Sequence, residues 1–487
     1  MGTLDLVVIA IYLGASLALA WWMRERARTA EDYFLGARNL PAWAVMLSIV
    51  ATETSALTVI SVPGIAARGD FTFLQLAFGY LIGRMGVAWW LLPGYFSGGQ
   101  QTAYQRLQTR FGVATRQTLS GVFLATRFLA DGVRIFAGAI PLALLTGWDL
   151  GLAIVLMSTV TLAYTFVGGL RSVVWADALQ LVVYVAGGVF ALVVALNMAG
   201  GWGEAWARAD AAGKLRLFDF QLSLTAPLTL LAGLVGGALL SAASHGTDQI
   251  IVQRLLATRG LRSAQWALVG SGVLVIAQFA LFLGIGTALW AAGQAPEGQA
   301  GDTLFPQFIV QHMPAGVAGL LMAGILAAAM STISSSISAL ASSATNDLYA
   351  PWADKTPERD GPHLLRAGRA FTLLWGVLLT AAALGFHMVA SGRDTPVVVL
   401  ALSIASVTYG ALLGTYVLAG WRGRLGARLA GRDVVTGVVL SLGVMAFVVF
   451  GSRLAFPWFV PLGTALTVGV SLLVATIRRD EPSPKSA

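Results

Sequence analysis

Three stretches of this chain place oxygen-bearing side chains in surroundings that are otherwise apolar. The run Ala328-Ala329-Met330-Ser331-Thr332-Ile333-Ser334-Ser335 carries four hydroxyls within little more than a helical turn. A hard cation such as Na+ takes oxygen ligands, and a helix supplies hydroxyls together with carbonyls freed by a break. The same hydroxyls also serve a helix with no ion at all, by bonding back to its carbonyls or across to neighbouring helices. The second stretch, Ala51-Thr52-Glu53-Thr54-Ser55, and the third, Ser241-Ala242-Ala243-Ser244-His245-Gly246-Thr247-Asp248-Gln249, each interrupt an apolar segment. A lone acid, Asp177, follows Gly168-Gly169-Leu170-Arg171. Asp177 reads either as an interfacial carboxylate paired with Arg171 or as an acid beside a bound cation. Without a partner, an acid at mid-helix in a bilayer costs about 2.5–3.5 kcal/mol.

The elements that carry these residues are membrane helices. Of 487 residues, 57% are hydrophobic and 11% charged, against about 25% charged in a soluble domain. A mean hydropathy of +0.76 and 56 glycines fit a polytopic bundle whose helices approach closely. Soluble enzyme, nucleic-acid binder and disordered scaffold are excluded. The net charge of +8 is scattered between apolar blocks and makes no basic face for nucleic acid. The absence of cysteine removes disulfides and thiol chemistry, and His245, His312, His363 and His387 are too dispersed for an evident metal cluster.

A bilayer core needs roughly 20 apolar residues per helix. About thirteen spans are expected on that measure: 4–23, 41–63, 72–96, 118–145, 150–167, 171–199, 226–249, 263–293, 315–348, 367–390, 394–421, 433–451 and 456–477. The first is read as a retained helix rather than a signal peptide, because Asp5 precedes it while Arg24, Arg26 and Arg28 follow. Basic residues recur in alternate connections: Arg106, Arg110 and Arg116; Arg254, Arg259 and Arg262; Lys355, Arg359, Arg366 and Arg369; Arg422, Arg424, Arg428 and Arg432. That alternation predicts N-out, C-in. No phosphate-binding GxxxxGK[ST] loop occurs, so ATP-driven transport is not expected.

Residues 1–40 then form a first helix and cytoplasmic loop, and 200–225 an extracellular loop. Two five-span blocks occupy 41–199 and 226–421, and two accessory helices with a short tail occupy 422–487. An odd number of spans per block inverts the second block against the first. Each block opens with an interrupted helix, and interrupted helices at matching positions of inverted halves point to a transporter's binding site.

Several motifs together resemble the sodium/solute symporters, the family of sodium/proline, sodium/galactose, sodium/sialic acid and sodium/glucose carriers. They are Asn39-Leu40-Pro41, Pro63-Gly64, the stretch from Thr102 to Gly112, Tyr164 to Gly169, Gly246 to Arg254, Ala327 to Thr332, and Asp347-Leu348-Tyr349. The resemblance implies an all-α LeuT-type inverted-repeat fold in a bacterial-type inner membrane. It implies Na+-coupled import of a small polar solute by alternating access, with lipid, Na+ and the solute as partners. Neither nucleic acid nor a second copy of the chain is required. By that resemblance a common sodium site falls on Ala51, Thr54, Ala328, Ser331 and Thr332, and a second on Asp177, Ser331, Ser334 and Ser335.

Depth and polarity make Thr52, Glu53, Gln75, Ser241, Ser244, His245 and Asp248 the solute candidates; Gln278 and Ser403 are read as packing. Relatives that carry galactose place an asparagine where this chain has Asp248, which puts sugar specificity in doubt. Arg84, Arg127 and Arg134 suggest an anionic solute. Glu53, Asp131 and Asp177 match them in number, and the spacing of Asp131 from Arg127 and Arg134 favours pairing on one helix face. Substrate charge is therefore open. The nearest rival is a proton-coupled carrier relaying through Glu53, Asp177 and Asp248; a membrane sensor or channel on the same fold is a further one. No enzyme is expected.

Overall fold

The computed structural model describes residues 2–22, 27–299, 301–390, 397–421 and 429–480. Arg24, Arg26, Arg422, Arg424, Arg428 and the tail after Asp480 lie outside the described residues, as does the side chain of Ser403. Among the described residues the chain is helices and connections, with one isolated bridge between Leu40 and Thr258. The helices that matter here are α1 (Thr3–Trp22), α2 (Ala42–Glu53), α3 (Ala56–Arg68), α4 (Leu74–Gly86), α5 (Val113–Thr146) and α6 (Leu150–Met198). They continue with α7 (Gly237–Gly246), α8 (Gln249–Leu256), α9 (Leu261–Ala291), α10 (Val317–Ser343), α11 (Pro357–Ala390), α12 (Val397–Gly420), α13 (Gly431–Gly451) and α14 (Phe459–Asp480).

Seven of the described helices are long and apolar enough to cross a membrane, and the pair α2–α3, bent by 65° at its break, gives an eighth. Large apolar side chains such as Trp89, Trp266, Val377 and Phe447 point outward, as a lipid-facing surface demands. At 1.5 Å per residue the 49 residues of α6 would run about 74 Å, more than twice a bilayer core. Gly169 divides it, with φ +57°. A Cβ there would lie 2.4 Å from the Tyr33 carbonyl oxygen, so position and conformation both demand glycine. The two arms match the separate spans expected at 150–167 and 171–199.

Helix α10 is the axis of the bundle. Every residue from Leu321 to Asp347 is buried, and α10 packs against α6, α5, α1 and α11. A serine-rich helix enclosed on all sides must satisfy its hydroxyls within the protein. Helix α4 also packs closely on α7 and the residues just before it. Cβ atoms at Gly79 and Gly83 would each come within 2.1 Å of backbone oxygens of Gly233 and Ala238. Close backbone approach through small residues is how membrane helices pack without a hydrophobic drive between them.

Two basic residues depart from the loop positions expected of them. Arg254 and Arg116, read as connection charges, are 0% and 7% exposed. Arg254 pairs with Asp177, and Arg116 pairs with Asp347 while Thr102 and Ser343 also bond that acid. A buried guanidinium with an acid partner carries no information about membrane side.

Candidate functional site

The break between α2 and α3 follows from local chemistry. The Thr54 amide bonds to the Val50 carbonyl at 3.0 Å and closes α2; Ser55 then caps α3, its hydroxyl accepting from the Thr58 amide. The carbonyls of Ala51, Thr52 and Glu53 lie in the last turn, where no intrahelical donor follows. The Thr54 hydroxyl is held by Gln278 of α9, with Gln278 Nε2 donating at 2.7 Å, and Gln278 also accepts from the Tyr184 hydroxyl at 3.1 Å. Gln278, read from sequence as packing, thus pins the break. On α10, the Thr332 hydroxyl donates to the Ala328 carbonyl at 3.2 Å. The Ser331 hydroxyl donates to Asp177 Oδ1 at 2.7 Å, which leaves its lone pairs available to a cation.

Asp177 is fully buried, and its partner is Arg254 of α8 rather than Arg171. The Arg254 guanidinium meets Asp177 Oδ2 at 3.0 Å and donates to the hydroxyls of Ser48 (2.8 Å) and Ser335. Ser48 donates to the same carboxylate oxygen at 2.6 Å. Ser334 and Ser335 both donate back to the Ser331 carbonyl. Asp177, Ser331 and Ser335 therefore form one network, to which Ser334 is joined through Ser331. Arg254 is the cation in it. An ion entering here shares Asp177 with a guanidinium already in place.

A cavity of about 350 Å³ opens beside the first break and is walled by α2, α3, α4, α5, α7, α8, α9, α10 and α12. Thr52, Glu53, Ser241, Ser244 and His245 line it, as do Thr332 and Ser335. Its charged lining residues are Glu53, Arg127 and Arg134. Gln75 and Asp248, also read as solute candidates, are not among its lining residues. Gln75 donates to the carbonyls of Thr72 and Leu228 and accepts from the Asp219 amide, so it ties down the 200–225 connection. Asp248 caps α8, accepting from the Ile250 amide at 2.9 Å, and its other oxygen pairs with Arg127.

Behind the wall, Arg84, wholly buried, pairs with Glu53 and donates to the Ser271 hydroxyl at 2.7 Å. Asp131 sits between Arg127 (3.3 Å) and Arg134 (2.9 Å), as the helix spacing implies, and accepts from Ser336 at 2.6 Å. Tyr409 of α12 accepts from Arg127 at 2.7 Å. Sequence reasoning missed Arg254, Ser48, Tyr409 and the Arg84–Glu53 pair. Arg254 stood in a quoted motif, and the signal that identifies it is the need of Asp177 for a counter-charge. Ser48 and Tyr409 give no local signal, since they meet their partners only through tertiary packing.

Interrupted helices around a largely apolar cavity lined by a few charged and hydroxyl side chains, in an all-helical membrane bundle, fit a secondary transporter. The sequence model of the sodium:solute symporter family matches residues 33–419, and the chain belongs to that family. It is 29% identical over 483 residues to the sodium/sialic acid symporter NanT of Aliivibrio fischeri, covering 97% of this chain and 93% of that one. It is 30% identical over 430 residues to the human sodium/iodide cotransporter, covering 86% and 66% respectively. A solved substrate-bound, outward-open Na+-coupled sialic acid symporter superposes with a TM-score of 0.87 at 26% identity, covering 98% of both chains. The nucleobase–cation symporter Mhp1, at 13% identity and a TM-score of 0.60 over 93% of this chain and 96% of its own, shares the fold alone. The protein is a Na+-coupled solute symporter of LeuT-type fold, a multi-pass protein of the cell membrane and not an enzyme.

Proposed function

We propose that the solute is a small organic anion, held in the 350 Å³ cavity and imported with Na+ bound at the first helix break. The observation that carries the anion is the charge of the wall: two guanidiniums, Arg127 and Arg134, against the single carboxylate of Glu53. Arg127 is occupied by Asp248, Asp131 and Tyr409. Arg134, 20% exposed and bonded through Nη1 to Asp131, also lines the cavity. Relatives named for sialic acid, monocarboxylate and iodide carry anions, and another is named for multivitamins.

In this reading Ala51, Thr54, Ala328, Ser331 and Thr332 supply the common sodium site. Asp177, with Ser331, Ser334 and Ser335, supplies a second whose ion must loosen Arg254. Thirteen spans run N-out to C-in, the five-span blocks 41–199 and 226–421 are the inverted halves, and one chain surrounded by lipid suffices. Proton coupling fits less well, because Glu53, Asp177 and Asp248 each face an arginine that keeps its charge. Protonating Glu53 or Asp177 strands a buried guanidinium, and protonating Asp248 leaves Arg127 with only Asp131, which Arg134 shares.

Uptake into proteoliposomes tests the reading. A Na+ gradient should drive accumulation of carboxylates such as lactate or N-acetylneuraminate, and a proton gradient alone should not. Uptake of glucose or of cationic amino acids with carboxylates excluded would reject the anion.

A further inference from the structure

The connection that leads to α7 carries an alternation turned inside out. Residues Leu217-Phe218-Asp219-Phe220-Gln221-Leu222-Ser223-Leu224 run without helix or strand. Phe218, Phe220, Leu222 and Leu224 are all exposed, Phe220 at 74% and Leu222 at 81%. Asp219 and Ser223, between them, are half-buried and serve the local backbone. Asp219 Oδ1 accepts from the Gln221 amide at 3.0 Å, and the Ser223 hydroxyl accepts from the amides of Thr225 and Ala226. Asp219 is also the only charge from Leu217 to Leu228. An extended segment facing water turns its apolar row inward and its polar row outward. Here the apolar row is the outer one, and a contiguous exposed apolar surface marks a site of interaction.

The contacts of this segment fix its level against the bundle. The Asp219 amide donates to Gln75 Oε1 at 3.1 Å, and the Asp219 carbonyl accepts from the Leu230 amide at 2.7 Å. The Phe218 ring lies 6.4 Å from that of Phe78. Phe78 is four residues into α4, about 6 Å along the axis from its first residue. That helix opens a membrane-length apolar stretch, Leu74–Phe96. At the far end the Leu224 carbonyl accepts from the Ala455 amide at 2.8 Å, in the turn between α13 and α14. The segment therefore stands beside the first turn of a spanning helix and not above the bundle. Exposed apolar side chains continue from it: Leu231 and Val235 follow in the chain, and Phe447 and Phe450 end α13. Phe220 and Leu222 make no backbone hydrogen bond among the described residues. The hydrocarbon core does not tolerate such backbone, whereas the hydrated headgroup layer does.

We propose that residues 217–224 are a membrane anchor, with Phe218, Phe220, Leu222 and Leu224 set into the phospholipid headgroup layer at the end of the bundle where α3 meets α4, the outer leaflet on the N-out reading. Aromatic and large apolar side chains favour that layer. The connection 200–225, read from sequence as an extracellular loop, is then in part an interfacial element. Through Gln75 the anchor also holds α4, which walls the cavity. The occupant is lipid and not a second copy of the chain, because the row runs on into the lipid-facing surface.

The chain has no cysteine, so Phe220→Cys, Leu222→Cys and Asp210→Cys each give one site for a nitrobenzoxadiazole dye. Asp210 is an exposed residue of the helix Trp202–Ala211, and its label measures what the dye does without an anchor. Each labelled protein is placed in phosphatidylcholine nanodiscs and quenched either by doxyl-phosphatidylcholine, with the spin label near the headgroup, or by aqueous acrylamide. The ratio of lipid to aqueous quenching should be several times higher at 220 and 222 than at 210. A ratio at 220 and 222 no higher than at 210 places the segment in water and overturns the anchor. Shielding of 220 and 222 from both quenchers, with dye self-quenching that grows with the number of chains per disc, assigns the row to a second copy and overturns it too.

Discussion

The two helix breaks, at Thr54-Ser55 and Thr247-Asp248, differ in how their polar groups are satisfied. At Thr247-Asp248 the protein fills them. Asp248 caps α8 and holds Arg127, the Thr247 hydroxyl donates to the Ala243 carbonyl at 2.7 Å, and the Tyr95 hydroxyl donates to the Gly246 carbonyl at 2.6 Å. At Thr54-Ser55 the side chains are fixed, by Gln278 and by Ser55 capping, but Thr52, Glu53 and Ser55 line the cavity. One break is filled by the protein's own groups; the proposed reading places the cation at the other. Interruption of a helix therefore marks a binding region without saying which of two breaks binds, and the satisfaction of its backbone decides.

Breaking the locked side should cost most. Asp248→Leu removes a helix cap and one of the acids of the buried Arg127, and truncating one partner of a buried pair costs about 3–5 kcal/mol. We expect a large fall in unfolding temperature in detergent, much of it recovered when Arg127→Met is added. A fall no larger than that of an exposed pair such as Arg208–Glu204 would place Arg127 elsewhere than in this lock.

Asp177→Asn comes next, because it leaves the buried Arg254 without its counter-charge. If a second Na+ binds there, the Na+ Hill coefficient falls towards one and a charge fewer moves per solute. If Asp177 serves only Arg254, folded protein falls and the charge-to-solute ratio of the remainder is unchanged. Each ion driven by 100 mV adds about 2.3 kcal/mol, so the ratio is measurable from the accumulation that a fixed gradient supports.

Smaller effects belong to single hydroxyls at the open break. Ser331→Ala should raise the Na+ concentration for half-maximal uptake roughly tenfold, equal to about 1.4 kcal/mol, with near-normal expression. Gln278→Leu touches no ion and loosens only the pin on Thr54, so a shift of about threefold is expected, within the worth of one neutral hydrogen bond. A larger shift from Gln278→Leu than from Ser331→Ala would make Gln278 a ligand rather than a support.

The bundle and its two breaks were legible because a bilayer permits few solutions. Apolar lengths mark helices, and polar runs inside them stand out, so Thr52, Glu53, Thr332 and Ser335 were found and do share one cavity. Charge pairing was less legible. Asp131 was read through its neighbours because Arg127 and Arg134 lie on its own helix, whereas for Asp177 sequence proximity offered only Arg171 as a counter-charge, beside the sodium-site reading. Arg254 lies 77 residues away and reaches Asp177 only after α8 packs against α2 and α10. Gln75 was hard to place for a related reason: a buried polar side chain at cavity depth serves a connection equally well, and its three bonds go to Thr72, Leu228 and Asp219.

A Na+ titration of Thr332→Ala beside Thr247→Val is the most direct test of the difference between the breaks. Both hydroxyls donate to the carbonyl four residues earlier, but Thr332 lines the cavity and Thr247 is sealed at 0% exposure. Thermal stabilisation by Na+ alone, in the absence of solute, should require about tenfold more Na+ in Thr332→Ala and the wild-type concentration in Thr247→Val. Loss of the Na+ response in Thr247→Val with Thr332→Ala unaffected would contradict the assignment of the cation to the first break.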